Sequence, residues 1–409
     1  MSQQNMSVIV HNVSGESKAR RKDKNMILFI LKPLLIVENC FGVFRFGIDE
    51  DDVREPSRRI KIYSAFFVLL TTSVYLYFFR YFIILIVKTF NTDILMESLE
   101  ELTIALQHLQ HVLMFFDQLH QSKRNITIIK LLVKIDKILG LDQNHNFYVK
   151  FRGKVCVILF MFFCFILLSN IIDVITVPDP RPTEYNVDAI TECKRYLSIC
   201  TLYFYFKIIF VRLEVISNHL INIVQKFQRT GNLEVAFADC KGTESEQSEK
   251  SLKFLIEAYI LLGKACSLIN KVFNFQIMIS LVFTFVYVVT LLLVSLYEFG
   301  ITHNSLYLSS VFIYCVFQIL CILIMAYSCE GLLSMQSKIK VLLNKIVIDY
   351  NFPQTLREQA KIFIDFIDVW RFEISAYDMF SINIELMLRF LSISTTYLIL
   401  IIQVFHLKV

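Results

Sequence analysis

Residues 276–299, QIMISLVFTFVYVVTLLLVSLYEF, hold one charged side chain, Glu298, and after a short break 306–330, LYLSSVFIYCVFQILCILIMAYSCE, repeat the pattern with Glu330 at the very end. About twenty apolar residues in a helix cross the hydrocarbon of a bilayer, so the two stretches predict a pair of transmembrane helices joined by a tight turn. Working outward, five more stretches meet the same criterion, near 62–87, 98–117, 155–177, 196–219 and 385–406. The second of these is interrupted by Glu100, Glu101, His108 and His111. The composition agrees: 409 residues with mean hydropathy +0.56, 56% hydrophobic side chains and 38 Phe are too apolar for a soluble chain. With only ten Gly and no strand-like alternation, the expected fold class is an all-α membrane protein with seven transmembrane helices.

Charge placement orients the chain. Most of the 41 Lys and Arg fall before the first span, after the second, between the fourth and fifth, and between the sixth and seventh, whereas the alternate connections and the tail hold five. The positive-inside rule then puts the N-terminus in the cytoplasm and the C-terminus outside. Two glycosylation sequons, at Asn5 and Asn12, point the other way, but Lys18, Arg20, Arg21, Lys22 and Lys24 follow them directly. Apolar residues at helical spacing continue past the sixth span (Ile339, Leu342, Ile346) and recur at Ile362, Phe366, Ile367 and Trp370, so helices are expected to extend into a cytoplasmic bundle. The resulting divisions are a cytoplasmic segment 1–61, a six-helix ligand-sensing region 62–330, a cytoplasmic helical linker 331–384, and a last pore-type helix with a short external tail, 385–409. The acidic run from Asp49 to Asp52 and the polar stretch Cys240–Lys250 read as solvated connections.

The motifs of phosphate loops, dinucleotide sites, zinc proteases and serine hydrolases are all missing, so no enzymatic role, cofactor or metal is expected. A net charge of +5 suggests no nucleic-acid partner. Ten scattered Cys with no C-x-x-C pair read as apolar fillers. On the second span, Glu97, Glu100, Glu101, Gln107, His108, His111 and Gln118 share one face. Because charged groups against lipid are costly, that face looks into the bundle, either as a hydrogen-bonded packing seam or as one wall of an aqueous ligand cavity. Asp173, Tyr203, Tyr205, Tyr287, Thr290, Tyr314 and Gln318 are the other groups that could share such a cavity.

The chain closes with Thr396-Tyr397, five apolar residues, and Gln403-Val404-Phe405. This resembles the signature that ends the insect gustatory receptors, Thr-Tyr, five mostly apolar residues, then Gln-Phe; here Val404 stands where that family usually has Phe. Residues Ala376-Tyr377-Asp378-Met379-Phe380-Ser381-Ile382-Asn383 and the early Leu31-Lys32-Pro33-Leu34-Leu35 before Phe41-Gly42 are similar to other stretches of that family. The resemblance implies a chemosensory receptor of the plasma membrane that assembles with itself, as a homo- or hetero-tetramer, into a cation channel gated by a small-molecule tastant. It implies a pore surrounded by the last helix of each subunit. Sugar-receptor members tend to carry Glu directly after Thr-Tyr, where this chain has Leu398, so a bitter or other non-sugar tastant is favoured.

Helical spacing sets the face of that last helix. With Ser392 as zero, Thr396 falls at about 40°, Ile399 at about −20° and Gln403 at about 20°, which makes these four the pore-lining candidates. Glu385 and Arg389 are spaced for an intrahelical ion pair. An odorant receptor channel of the same superfamily is the nearest alternative. A G-protein-coupled receptor is more distant, since it requires the opposite orientation and the sequence has neither Asp-Arg-Tyr after span three nor Asn-Pro-x-x-Tyr in span seven.

Overall fold

The computed structural model describes residues 25–49, 52–88, 93–143, 145–176, 182–231, 238–302 and 305–406. The chain runs α1 (Met26–Cys40), β1 (Gly47–Asp49), β2 (Asp52–Arg54), α2 (Arg58–Lys88), α3 (Asp93–His120), α4 (Ser122–Ile138) and α5 (His145–Thr176). It continues as α6 (Pro182–Gly231), α7 (Ala238–Thr302), α8 (Ser305–Ile348), α9 (Gln354–Val369), β3 (Ser375–Ala376), β4 (Phe380–Ser381) and α10 (Ile384–His406). The protein is an all-α membrane protein, and each of the seven predicted spans falls on its own helix: α2, α3, α5, α6, α7, α8 and α10. The outer sides of α2 and α5 present Ile62, Phe66, Leu69, Val157, Phe160 and Met161 unburied, as lipid-facing surface should be.

Three helices are much longer than a bilayer. At about 1.5 Å per residue, α6 with 50 residues and α8 with 44 run roughly 75 and 66 Å, against a hydrocarbon core of about 30 Å. Their surplus, with the 65-residue α7, forms a helical base onto which α1, α4 and α9 pack. The base is where the apolar core is most completely closed: Ile128, Ile129, Leu132 and Ile135 of α4, Ala258, Leu262 and Ile269 of α7, Ile339, Leu343 and Ile346 of α8, and Leu356, Ala360 and Phe363 of α9 are all inaccessible to solvent.

Two stretches differ from the sequence reading. Asp49 and Asp52, at the two ends of the acidic run, pair in a short antiparallel ladder in which Gly47 faces Arg54 and Ile48 faces Val53; Glu50 and Asp51 lie outside the described residues. Val53 is buried in the main core and anchors it. Residues 240–250 lie within α7, because Glu, Gln and Lys are good helix formers and a polar composition does not by itself end a helix that begins at Ala238.

Buried charge pairs tie the helices together at two levels along α6. Glu38 at the end of α1 is wholly buried and bonds Arg45 (Nε to Oε1 2.9 Å, to Oε2 3.2 Å) and the Thr201 hydroxyl of α6 (2.6 Å). Below it, Asp136 of α4 accepts from Arg212 of α6 (2.7 Å) and from the Tyr148 hydroxyl of α5 (2.6 Å). Burial and the adjacent Asp136 carboxylate hold the Tyr148 phenol well above its ordinary pKa, so it stays a neutral donor.

The connection into α10 is fastened at several points. Gln336 of α8 donates to the carbonyls of Ile367 and Trp370 (2.9 and 3.1 Å) and accepts from the Phe372 amide (3.1 Å). Gly263 of α7 is required for the close approach of Trp370: a Cβ there would lie 2.7 Å from the Trp370 Cβ. The β3–β4 turn places Tyr377 and Asp378 in the left-handed region (φ 52° and 56°), which costs roughly 1–3 kcal/mol per non-glycine residue. Asn270 and Asn274 of α7 hold it, Asn270 bonding both the hydroxyl and the amide of Ser375 (3.2 and 3.3 Å), and Asn274 accepting from the Tyr377 amide. Asn383 then caps α10 by accepting from the Leu386 amide (2.8 Å).

Candidate functional site

The polar face of α3 turns inward. Gln107, His108, Gln110, His111 and Gln118 are all buried, and each finds a partner on another helix. The Nε2 atoms of His108 and His111 meet the hydroxyls of Thr72 (3.1 Å) and Thr71 (3.3 Å) on α2. Both hydroxyls donate to the Val68 carbonyl (2.7 and 2.9 Å), so their oxygens are left to accept and the imidazoles carry the proton on Nε2. The His108 ring is stacked between Tyr75 (4.5 Å) and His111 (5.7 Å).

Beyond the histidines, Gln107, Gln110, His111 and Met114 of α3 face Thr191, Glu192, Lys194 and Arg195 of α6 across a narrow cleft that has room for about one water. Glu192 is its acidic member. Its carboxylate accepts from Gln107 (3.2 Å) and from the Tyr314 hydroxyl, and lies 3.7 Å from Arg195. Arg195 in turn donates to Gln318 of α8 (2.6 Å), and Tyr314 stands edge-on to Tyr287 of α7 at 5.6 Å. Lys194, on the same wall, is 1% exposed and has no hydrogen-bond partner on its Nζ among the described residues; the Phe115 ring lies 5.7 Å away, and Arg45, His108 and His111 are within electrostatic reach. Gln110 bonds Ser280 of α7 (3.4 Å), and Ser280 also lines a second, mainly apolar cleft of about 320 Å³ among Leu202, Phe273, Ile277, Ile322 and Met325.

The last helix meets the rest of the protein along a narrow strip. Met387 and Ser394 are buried, Phe390 and Tyr397 sit edge-on to Phe285 of α7 (both 5.8 Å), and Ser392, Thr396, Ile399 and Gln403 are exposed. The Glu385–Arg389 pair forms at 2.5 Å. Residues 31–405 match the 7tm chemosensory receptor family.

This protein belongs to the 7tm chemosensory receptor family.

Two solved structures share the receptor's fold. Both are of the insect olfactory receptor OR5 from Machilis hrabei: one in complex with eugenol, at 15% identity and a TM-score of 0.60, and one described without a ligand, at 12% and 0.61. In each case 91% of this chain aligns with 97% of the other. No curated protein sequence matches the chain significantly. The receptor is a multi-pass protein of the plasma membrane.

Of the residues singled out from the sequence, His111 lines the α3–α6 cleft and His108 backs it. Tyr314 and Gln318 reach it through Glu192 and Arg195, and Tyr287 supports Tyr314. Tyr203 lines neither cleft and packs edge-on against Phe204 within α6. The side chains of Glu101 and Asp173 lie outside the described residues. The receptor's Glu192, Lys194 and Arg195 were missed, because hydropathy begins span four at 196 and leaves them in an external connection, whereas α6 begins at Pro182. A charge triplet directly abutting an apolar run was the available signal.

Proposed function

We propose that the receptor is a gustatory receptor acting as a tastant-gated, non-selective cation channel, tuned to bitter or other non-sugar compounds. The observation that carries this is the exposed stripe of Ser392, Thr396, Ile399 and Gln403 on a helix that touches its own chain along one strip. The Thr396 hydroxyl returns to the Ser392 carbonyl (2.8 Å), but the Gln403 amide has no such recourse and is costly in lipid. Four copies around an axis cover that stripe: a ring of Gln amides coordinates a passing cation weakly, and a ring of Ile399 closes by dewetting. The charge distribution supports a cytoplasmic base, and with that orientation the α3–α6 cleft lies toward the outer side, where a tastant arrives.

The olfactory reading is favoured by the fold shared with an insect olfactory receptor, whose structure is described as a complex with eugenol. The two readings separate in one experiment. The chain is expressed alone in a cell line and cation influx is recorded against plant alkaloids, glycosides, sugars and volatile phenols. Responses to alkaloids or glycosides without sugars support the taste reading, responses confined to volatiles support the olfactory one, and ligand binding without any influx removes the channel.

A further inference from the structure

The cleft between α3 and α6 holds two cationic side chains, Lys194 and Arg195, and one carboxylate, Glu192. That carboxylate is already engaged by Gln107, Tyr314 and Arg195. The nearest other buried cation, Arg45, has its own counter-charge in Glu38. Lys194 is thus left without an ion pair or hydrogen bond although it is 1% exposed, and Arg195 likewise keeps an unpartnered Nη1. A buried ammonium without a counter-charge is strongly unfavourable, and stacking over Phe115 offsets only part of that. Among the described residues, the cationic charge on this wall exceeds the anionic by one.

Resting on the receptor reading above, we propose that this cleft accepts the carboxylate of an organic acid, with Lys194 and Arg195 as its cationic anchors and Gln110 as a neutral donor. The apolar body of such a ligand would enter by parting a narrow apolar seam beside the cleft. Gln110 is bonded to Ser280, which also lines the adjoining cleft walled by Phe273, Ile277, Ile322 and Met325. The receptor is therefore selective for amphipathic acids, such as aromatic or short-chain carboxylates, over their neutral esters.

The test uses benzoate, methyl benzoate and chloride as probes on the purified full-length protein in detergent, with thermal unfolding as the readout. A ligand that binds only the folded state raises the transition temperature. Benzoate should raise it at concentrations about tenfold or more below those at which methyl benzoate acts, the discrimination expected from one charge-assisted hydrogen bond. Lys194→Met, and Lys194→Gln as a second variant, should erase that discrimination, and Lys194→Arg should keep it. Equal shifts from acid and ester, a benzoate shift that survives Lys194→Met and Lys194→Gln, or an equal shift from chloride would each overturn the proposal. Influx recordings on the same variants keep the two readings apart. Benzoate binding without current removes the channel and leaves the acid site, whereas current evoked by neutral tastants with no acid preference removes the acid site and leaves the channel.

Discussion

Two buried charge clusters lie along the same helix α6 and are built on different terms. In the base, Arg212 faces Asp136 at 2.7 Å and Tyr148 completes the set with a neutral donor, so each charge meets its opposite. Some seventeen residues earlier on α6, Arg195 lies 3.7 Å from the Glu192 carboxylate, while Lys194 beside it meets no carboxylate among the described residues. The first arrangement ties three helices, α4, α5 and α6, together. The second lines a cleft, where the unpaired cation is a candidate anchor for an anion.

That contrast can be broken most severely in the base. Arg212→Met leaves Asp136 buried and unpaired, which should cost about 3–5 kcal/mol and be seen as loss of surface expression and of the thermal transition in detergent; Asp136→Asn added to it should recover most of the loss. In the cleft the same kind of change should have the opposite sign, since Lys194→Met removes an uncompensated charge and should leave the transition unchanged or higher. A fall comparable to that of Arg212→Met would mean the two clusters are alike. Next in size, Gly263→Ala forces the Trp370 ring from its seat, an overpacking cost of about 1–3 kcal/mol, measurable as a lowered transition with α10 otherwise intact. His108→Ala removes the partner of Thr72 and should cost about 1–3 kcal/mol if the α3 face is structural. Its dose response decides whether that face also touches ligand. The smallest effect is expected at Glu385→Gln, where the exposed pair with Arg389 contributes less than about 1 kcal/mol; a larger change in conductance than in stability would place that pair on the ion path.

A cysteine scan along α10 sharpens the pore reading separately. Block by a water-borne thiol reagent should recur at 392, 396, 399 and 403 and be weak at Ile393, Leu398 and Ile401. Cys40, Cys156 and Cys164 are exposed and need replacement first, whereas Cys266 in the base, its thiol pushed up to about 12 by burial, stays protonated and silent.

Much of this was legible in the sequence where a periodic signal is long. Seven apolar runs marked seven helices, and the inward turn of Gln107, His108, His111 and Gln118 followed from 100° spacing. What escaped depends on contacts distant in sequence. The α1 helix carries Pro33 and Glu38, which argue against burial until Arg45 and Thr201 are seen to meet Glu38. The start of α6 carries Glu192, Lys194 and Arg195, and a hydropathy window assigns such residues to water because it cannot see that α3 and α8 supply Gln107, Tyr314 and Gln318. Tertiary partners decide the cost of a charge, and a window has none.

Within sixteen residues α7 performs three attachments in succession. Asn270 and Asn274 grip the turn that leads into α10, Gln276 and Ser280 stand in the wall of the apolar cleft, and Phe285 meets Phe390 and Tyr397 of α10 itself. Mechanically, α7 is a rail to which α10 is riveted at its foot and again part-way up. Sliding α10 along the rail would break both attachments, whereas a tilt of its upper end would part the Phe285 contact and the packing against α8 while leaving the asparagine-held turn in place. Gln276 and Ser280 lie between the two attachments, so the apolar seam they line borders the stretch of α7 that carries α10.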